Sequence, residues 1–200
     1  MHRNLGAFRG ICGNYNLSDW AGSVRRFARE EGQLSRSEFK LLEAFEVFDI
    51  SVPEKGLALD LGAAPGGWTR ILRTKGLRVV AVDPAKLDGH LSRDPGVQHV
   101  QTVAQRYLPT HVGRDAFDLI VNDMRIDVDR SVRLMCQAAS FLKRSRFAIM
   151  TLKLKPRYQR KQIRDALAVL ARQLRPVLVS RLPQGSSGPR IPLRLWNTPK

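Results

Sequence analysis

Short β-branched runs alternate along this chain with stretches whose apolar residues recur every three or four positions. Leu41, Leu42, Phe45 and Phe48 form such a stripe and predict a helix that ends before Ser51-Val52-Pro53. Ser35, followed three residues later by Glu38, reads as its start. Leu57 to Leu61 then predicts a strand ending at Gly62, and Gly67 to Lys75 a helix stopped at Gly76. Further strands are expected over Arg78–Val82, Val97–Val103, Phe117–Val121 and Phe147–Leu152. Val128–Leu142 and Tyr158–Leu174 read as helices, the second with Ile163, Leu167, Leu170 and Leu174 inward. Val177–Val179 and Ile191–Leu195 are the last strands. Strands alternating with helices predict an α/β fold, with a mostly parallel sheet covered on both faces.

The pattern divides the chain into a leader over 1–34, irregular or partly ordered, and one domain over 35–200. Residues 184–189, Gln-Gly-Ser-Ser-Gly-Pro, read as a flexible loop inside that domain. An apolar fraction of 43% over 200 residues is enough for a real core. No run approaches the roughly 18 apolar residues of a membrane span. The opening residues lead into no long apolar stretch, so a secretory signal is not expected. Two distant cysteines, Cys12 and Cys136, exclude a disulfide framework and a four-cysteine zinc site; no metal is expected, and a reducing cytoplasm is the expected compartment.

Charge sharpens the picture. The formal net charge is +16. Residues 151–200 hold twelve Lys/Arg against one acid, Asp165, and so carry +11 of it. A basic excess this one-sided points to a polyanion, with nucleic acid the expected partner.

The sharpest local signal is Asp60-Leu61-Gly62-Ala63-Ala64-Pro65-Gly66-Gly67-Trp68-Thr69. A strand runs into a turn poor in side chains, and the turn opens a helix. Glycines there let a ligand lie against the backbone. The helix N-terminus suits an anionic group. Neither Gly-Lys-Ser/Thr nor G-x-G-x-x-G is present, so a nucleotide triphosphate loop is excluded and a dinucleotide is disfavoured. Asp83 closes the next strand, where a carboxylate can accept both hydroxyls of a ribose. A ligand with a carboxylate at one end and a ribose at the other fits S-adenosylmethionine.

The string Asp60-x-Gly62-x-x-Pro65-Gly66-Gly67-Trp68 resembles the first motif of the FtsJ-like ribose 2′-O-methyltransferases, especially those that modify bacterial large-subunit rRNA. Ser35-Arg36-Ser37-x-x-Lys40-Leu41, Asn122-Asp123-Met124 and Leu152-Lys153-Leu154 fall in the family's order. The resemblance covers about residues 35–195. It implies a Rossmann-like class I methyltransferase sheet of seven strands with the last antiparallel. It also implies S-adenosylmethionine as cofactor and RNA, specifically ribosomal RNA, as partner. Asp60, Gly62, Ala63, Pro65, Gly66, Gly67, Trp68, Asp83 and Asp123 are the implied cofactor residues.

The same resemblance assigns a Lys-Asp-Lys-Glu tetrad, of which three members map onto Lys40, Asp123 and Lys153. A ribose hydroxyl is a poor nucleophile, so transfer needs alignment and removal of one proton. Lys153 is expected to orient and deprotonate the hydroxyl, Lys40 to add positive potential, and Asp123 to hold both. The family's fourth residue is a glutamate on a late strand, but this chain has no acid after Asp165. The family's adenine-contacting acid is also missing; Gln101-Thr102-Val103-Ala104-Gln105 stands there, with a backbone or Gln105 contact as the expected substitute. Lys155, Arg157, Arg160, Lys161, Arg181 and Arg190 are expected to meet RNA phosphates. A non-catalytic RNA-binding or ribosome-assembly protein that retains the fold is the alternative. The absent glutamate favours it; Lys40, Asp123 and Lys153 oppose it.

Overall fold

The computed structural model describes residues 37–110, 116–154, 160–174, 177–179 and 190–196. The expected leader over 1–34 and the loop over 184–189 lie outside the described residues. The strands are β1 Leu57–Leu61, β2 Arg78–Val82, β3 Val97–Val100, β4 Phe117–Asn122, β5 Leu142–Lys153, β6 Val177–Val179 and β7 Arg190–Trp196. The helices are α1 Ser37–Val47, α2 Gly67–Thr74, α3 Gly89–Arg93, α4 Ala104–Thr110, α5 Val128–Ala138 and α6 Arg160–Leu170.

The strands form one seven-stranded sheet in the order β3-β2-β1-β4-β5-β7-β6. β3, β2, β1, β4 and β5 are joined by parallel pairing. β7 is inserted antiparallel between β5 and β6. The expected mostly parallel sheet with an antiparallel last strand is therefore present.

Strand residues alternate between two cores, as their period of two requires. On one face Leu59, Leu61, Val80, Val82, Ile120, Ala148, Met150 and Leu152 pack with α4, α5 and α6. On the other, Ala58, Val79, Ala81, Leu119, Val121, Phe147 and Ile149 pack with α1 and α2. All six residues of β4 are buried, which is why its run reads as continuously apolar. Chain order reverses direction across the sheet at β1 and β4. In open α/β sheets, ligands bind beyond the carboxyl ends of strands at such a switch point.

Several boundaries differ from the expected ones. β3 stops at Val100, where the Thr102 amide turns back to the Val100 carbonyl at 2.8 Å, and α4 begins at Ala104. α5 ends at Ala138, a 3₁₀ turn follows over Ala139–Phe141, and Leu142 already pairs with Phe117. β5 is accordingly longer than Phe147–Leu152. The last helix ends at Leu170 and not at Leu174, although Leu174 remains buried beyond its end. α3 and α4 were not expected; Asp88 caps α3 by accepting the His90 amide at 2.9 Å.

α1 is fastened to α2 by polar contacts as well as by Leu41, Ala44 and Phe45. Ser35, the other half of the expected helix start, lies outside the described residues. Glu38 is buried, and its Oε2 accepts from Arg70 Nη2 at 2.6 Å and Nε at 3.1 Å. The Trp68 indole donates to the Ser37 carbonyl at 2.7 Å. Arg70→Ala deprives the buried Glu38 carboxylate of its guanidinium. It should destabilise the domain by about 2–4 kcal/mol in urea unfolding. The paired change Glu38→Leu with Arg70→Met should cost much less. A loss under about 0.5 kcal/mol for Arg70→Ala would show the contact to be a surface pair only.

Candidate active site

The glycine turn leaves the carboxyl end of β1 and opens α2. Gly62 has φ 78° and Gly66 has φ 118°, conformations that L side chains rarely adopt. A Cβ at Gly62 would also run into the Met124 side chain and lie 3.2 Å from the Met124 Cα. That glycine thus lets the turn after β1 close against the segment after β4. Gly66 occupies the N-cap of α2 without a side-chain cap, and the helix has no acid in its first turn. The helix end is therefore open to an anion.

Asp83, at the end of β2, braces the turn. Its Oδ2 accepts the Ala64 amide at 3.1 Å and its Oδ1 accepts the Ala85 amide at 2.8 Å. Each carboxylate oxygen retains acceptor capacity for a hydroxyl. Ala63 is buried beside the turn, and exposed Pro65 accepts the Asp88 amide at 2.9 Å. Gly67 starts α2. Trp68, 3% exposed, contributes packing and its bond to Ser37. The cradle fits S-adenosylmethionine: bare backbone at Gly62 and Gly66, an acid-free helix start, and a braced carboxylate at Asp83. Gln105, the expected adenine contact, is braced by Arg130. In the amide orientation that satisfies both groups, its oxygen accepts from Arg130 Nε and Nη2 at 3.0 and 3.1 Å.

Across the switch point, Asn122 is fully buried and shapes the turn after β4. Its Oδ1 accepts the Met124 amide at 3.0 Å, and its Nδ2 donates to Ser131 Oγ at 3.1 Å. This fixes Asp123 between two lysines. Lys40 Nζ, from α1, donates to Asp123 Oδ2 at 2.7 Å. Lys153 Nζ, at the end of β5, donates to Asp123 Oδ1. Thr151 Oγ1 donates to that same Oδ1 and accepts from Lys153 Nζ. Burial alone would raise the Asp123 carboxyl, but the Lys153 and Lys40 charges and hydrogen bonds outweigh it and hold it below its ordinary value. The three residues expected from distant parts of the sequence thus meet at one carboxylate.

Among the expected RNA contacts, Lys155, Arg157 and Arg181 lie outside the described residues. Arg160 and Lys161 open α6, and the exposed Lys161 pairs with Asp165 at 2.8 Å. Arg190 begins β7, opposite Lys153 in the register. Thr151 was not singled out in the sequence. Its signal was spacing: two residues before Lys153 on a strand, it shares that residue's face.

Asp60 lies beneath the turn, 1% exposed, and accepts from Thr69 Oγ1 at 2.7 Å. Burial pushes its carboxyl up to about 7; the Asp123 and Asp83 charges add to this and the Thr69 hydrogen bonds oppose it. The folded state therefore keeps a proton that the unfolded chain releases near 3.8. The stability this contributes is complete below that value and is lost as pH rises through about 7. Asp60→Asn should remove the dependence. Wild type should lose up to about 4 kcal/mol relative to Asp60→Asn between about pH 4 and 7 in denaturant unfolding. Parallel stability curves would contradict the assignment.

The arrangement has relatives. Residues 33–174 match the family model described as FtsJ-like methyltransferase. The chain is 39% identical over 153 residues to Ribosomal RNA large subunit methyltransferase M of Halorhodospira halophila, covering 74% of this chain and 43% of that protein. The same-named protein of Laribacter hongkongensis is 35% identical over 159 residues, covering 74% and 42%. The chain therefore spans less than half the length of these relatives. Among solved structures, the 1,6-didemethyltoxoflavin-N1-methyltransferase of Burkholderia thailandensis, with bound S-adenosylhomocysteine, superposes with a TM-score of 0.60 at 16% identity, over 82% of this chain and 78% of that one. That likeness concerns the fold. With the family's motif residues gathered at the ends of β1, β4 and β5, the chain belongs to the FtsJ-like methyltransferase family.

Proposed function

We propose that this chain is an S-adenosylmethionine-dependent RNA ribose 2′-O-methyltransferase whose substrate is ribosomal RNA. The observation that carries the reading is the convergence of Lys40 and Lys153 on Asp123, across the strand switch point from the glycine turn. The rRNA methyltransferase names of its relatives support the substrate class. The +11 carried by residues 151–200 supplies the charge that a phosphate backbone needs. Among the described residues no helix is long and apolar enough to cross a membrane. The cytoplasm, where ribosomal RNA is made and assembled in bacteria, is the proposed compartment.

The chain's own groups divide the work. Gly62, Ala63, Gly66 and Gly67 present backbone to the cofactor, and the start of α2 receives its carboxylate. Asp83 receives the ribose hydroxyls. S-adenosylmethionine supplies, when bound, an activated methyl group on a sulfonium. Lys153 orients the RNA 2′-hydroxyl and takes its proton at Nζ, a role open only to the amine form. Lys40 holds positive potential beside the oxygen as negative charge develops there. Asp123 anchors both lysines and faces the methyl donor. Lys155, Arg157, Arg160, Lys161, Arg181 and Arg190 hold the RNA by its phosphates.

A non-catalytic RNA-binding protein is the second reading. One observation favours it: no acid follows Asp165 to supply the family's fourth tetrad residue.

Labelled-methyl transfer to undermodified large-subunit rRNA separates the two, with alkali-resistant dinucleotides reporting ribose modification. Wild type should transfer methyl. Lys153→Ala should lose about 10²–10⁴-fold in rate while keeping cofactor affinity in calorimetry. Lys153→Arg should not rescue it, because a guanidinium stays protonated. Equal transfer by wild type and Lys153→Ala would refute the role of Lys153. RNA binding without transfer by either would establish the second reading.

A further inference from the structure

Thr151 completes the cluster around Asp123. Its side chain is 1% exposed. Alternation along β5 puts it on the face that carries Phe147 and Ile149, one step deeper than Lys153. Its hydroxyl is used in both senses, donating to Asp123 Oδ1 and accepting from Lys153 Nζ. Lys153 donates to the same carboxylate oxygen, so three polar groups from the end of β5 and the turn after β4 close a ring. A buried hydroxyl is costly unless bonded, and valine would fill the same volume without that cost.

We propose that Thr151 is a positioning residue, holding the Lys153 amine against Asp123 so that it meets the RNA 2′-hydroxyl from one direction. This rests on the ribose methyltransferase reading above. A β-branched side chain on a strand has few χ1 states, whereas a lysine has four flexible bonds. The stiff partner therefore fixes the mobile one.

The neighbouring strand explains why a threonine is used in this way. Pro192 stands opposite Thr151 and Arg190 opposite Lys153, so β7 brings no acid to either register position. Among the described residues, Asp123 pairs with Lys153 and with Lys40 on α1, Asp60 on β1 acts on Asp123, and Arg190 holds the backbone register position opposite Lys153 on β7. A neutral hydroxyl orients the lysine without adding a second anion. Lys40 and Lys153 against Asp123 leave one positive charge in excess when Asp60 holds its proton. That excess attracts the phosphates that flank the target ribose.

Three variants test this: Thr151→Val and Thr151→Ala without the hydroxyl, and Thr151→Ser with it. The full chain is assayed with S-adenosylmethionine and undermodified rRNA across pH. Independently, the Lys153 side chain is titrated by NMR on lysine-labelled protein, its signal assigned with Lys153→Arg. The two hydroxyl-free variants should lose about 10–100-fold in kcat. Their cofactor affinity should stay within about twofold of wild type, because the Thr151 hydroxyl bonds Asp123 and Lys153, across the switch point from the glycine turn and Asp83. The acid limb of the rate profile and the Lys153 titration should both move to lower pH, since an acceptor for the ammonium is gone. Thr151→Ser should restore both.

Unchanged kcat and unchanged Lys153 titration in both Val and Ala variants would overturn the proposal. A rate loss with an unmoved titration would overturn it too, leaving Thr151 a packing residue. Should wild type transfer no methyl, the methyltransferase reading fails by itself. The NMR titration then still decides whether Thr151 governs Lys153.

Discussion

The buried carboxylate of Asp123 is the point on which the rest of the site depends. Two ammonium groups and one carboxylate are taken largely out of water there, with side-chain exposures of 12–14%. Desolvating such groups costs several kcal/mol each unless their geometry is good. The geometry comes from the scaffold. Buried Asn122 fixes the turn that holds Asp123, and β4 around it is buried along its whole length. Lys40 reaches Asp123 because α1 is fastened to α2 by Trp68 and Arg70. Lys153 reaches it because the face of β5 that packs Phe147 and Ile149 ends in Thr151 and Lys153.

Topology turns separations in sequence into contacts. Lys40 lies 83 residues from Asp123, and Lys153 lies 30 beyond it. Parallel strands joined by helices bring their carboxyl ends to one edge, and the reversal between β1 and β4 opens that edge. α2 serves both halves of the site. Its first turn faces the cofactor cradle, and the residues immediately after that start anchor the helix that carries Lys40. A disturbance of the glycine turn is therefore expected to reach the lysine cluster through Trp68 and Arg70.

The strands were legible because their runs are apolar or β-branched and end at Gly62, Asp83 and Asn122. The cradle was legible because glycine, proline and an acid at fixed offsets leave few alternatives. The polar stretch Lys143-Arg144-Ser145-Arg146 concealed the start of β5. It lies in a register shift between two paired residues, Leu142 and Phe147, and Asp118 accepts from Lys143 Nζ at 2.9 Å; neither is visible in local pattern. α3 and α4 span five and seven residues, too short for a periodic signal. Glu38 matched a helix-start pattern, but its pairing with Arg70, 32 positions away, is not visible in that pattern. Thr151 resembled any hydroxyl in an apolar strand until Asp123 and Lys153 were placed around it.

A double-mutant cycle on the transfer rate tests the central claim most directly. Lys40→Met, Asp123→Asn and their combination would be compared with wild type in labelled-methyl transfer to undermodified rRNA. If Asp123 makes Lys40 part of one catalytic unit, each single change should slow transfer, and the double variant should be no slower than the worse single one. Losses that multiply would show that Lys40 and Asp123 act independently, and would contradict the account.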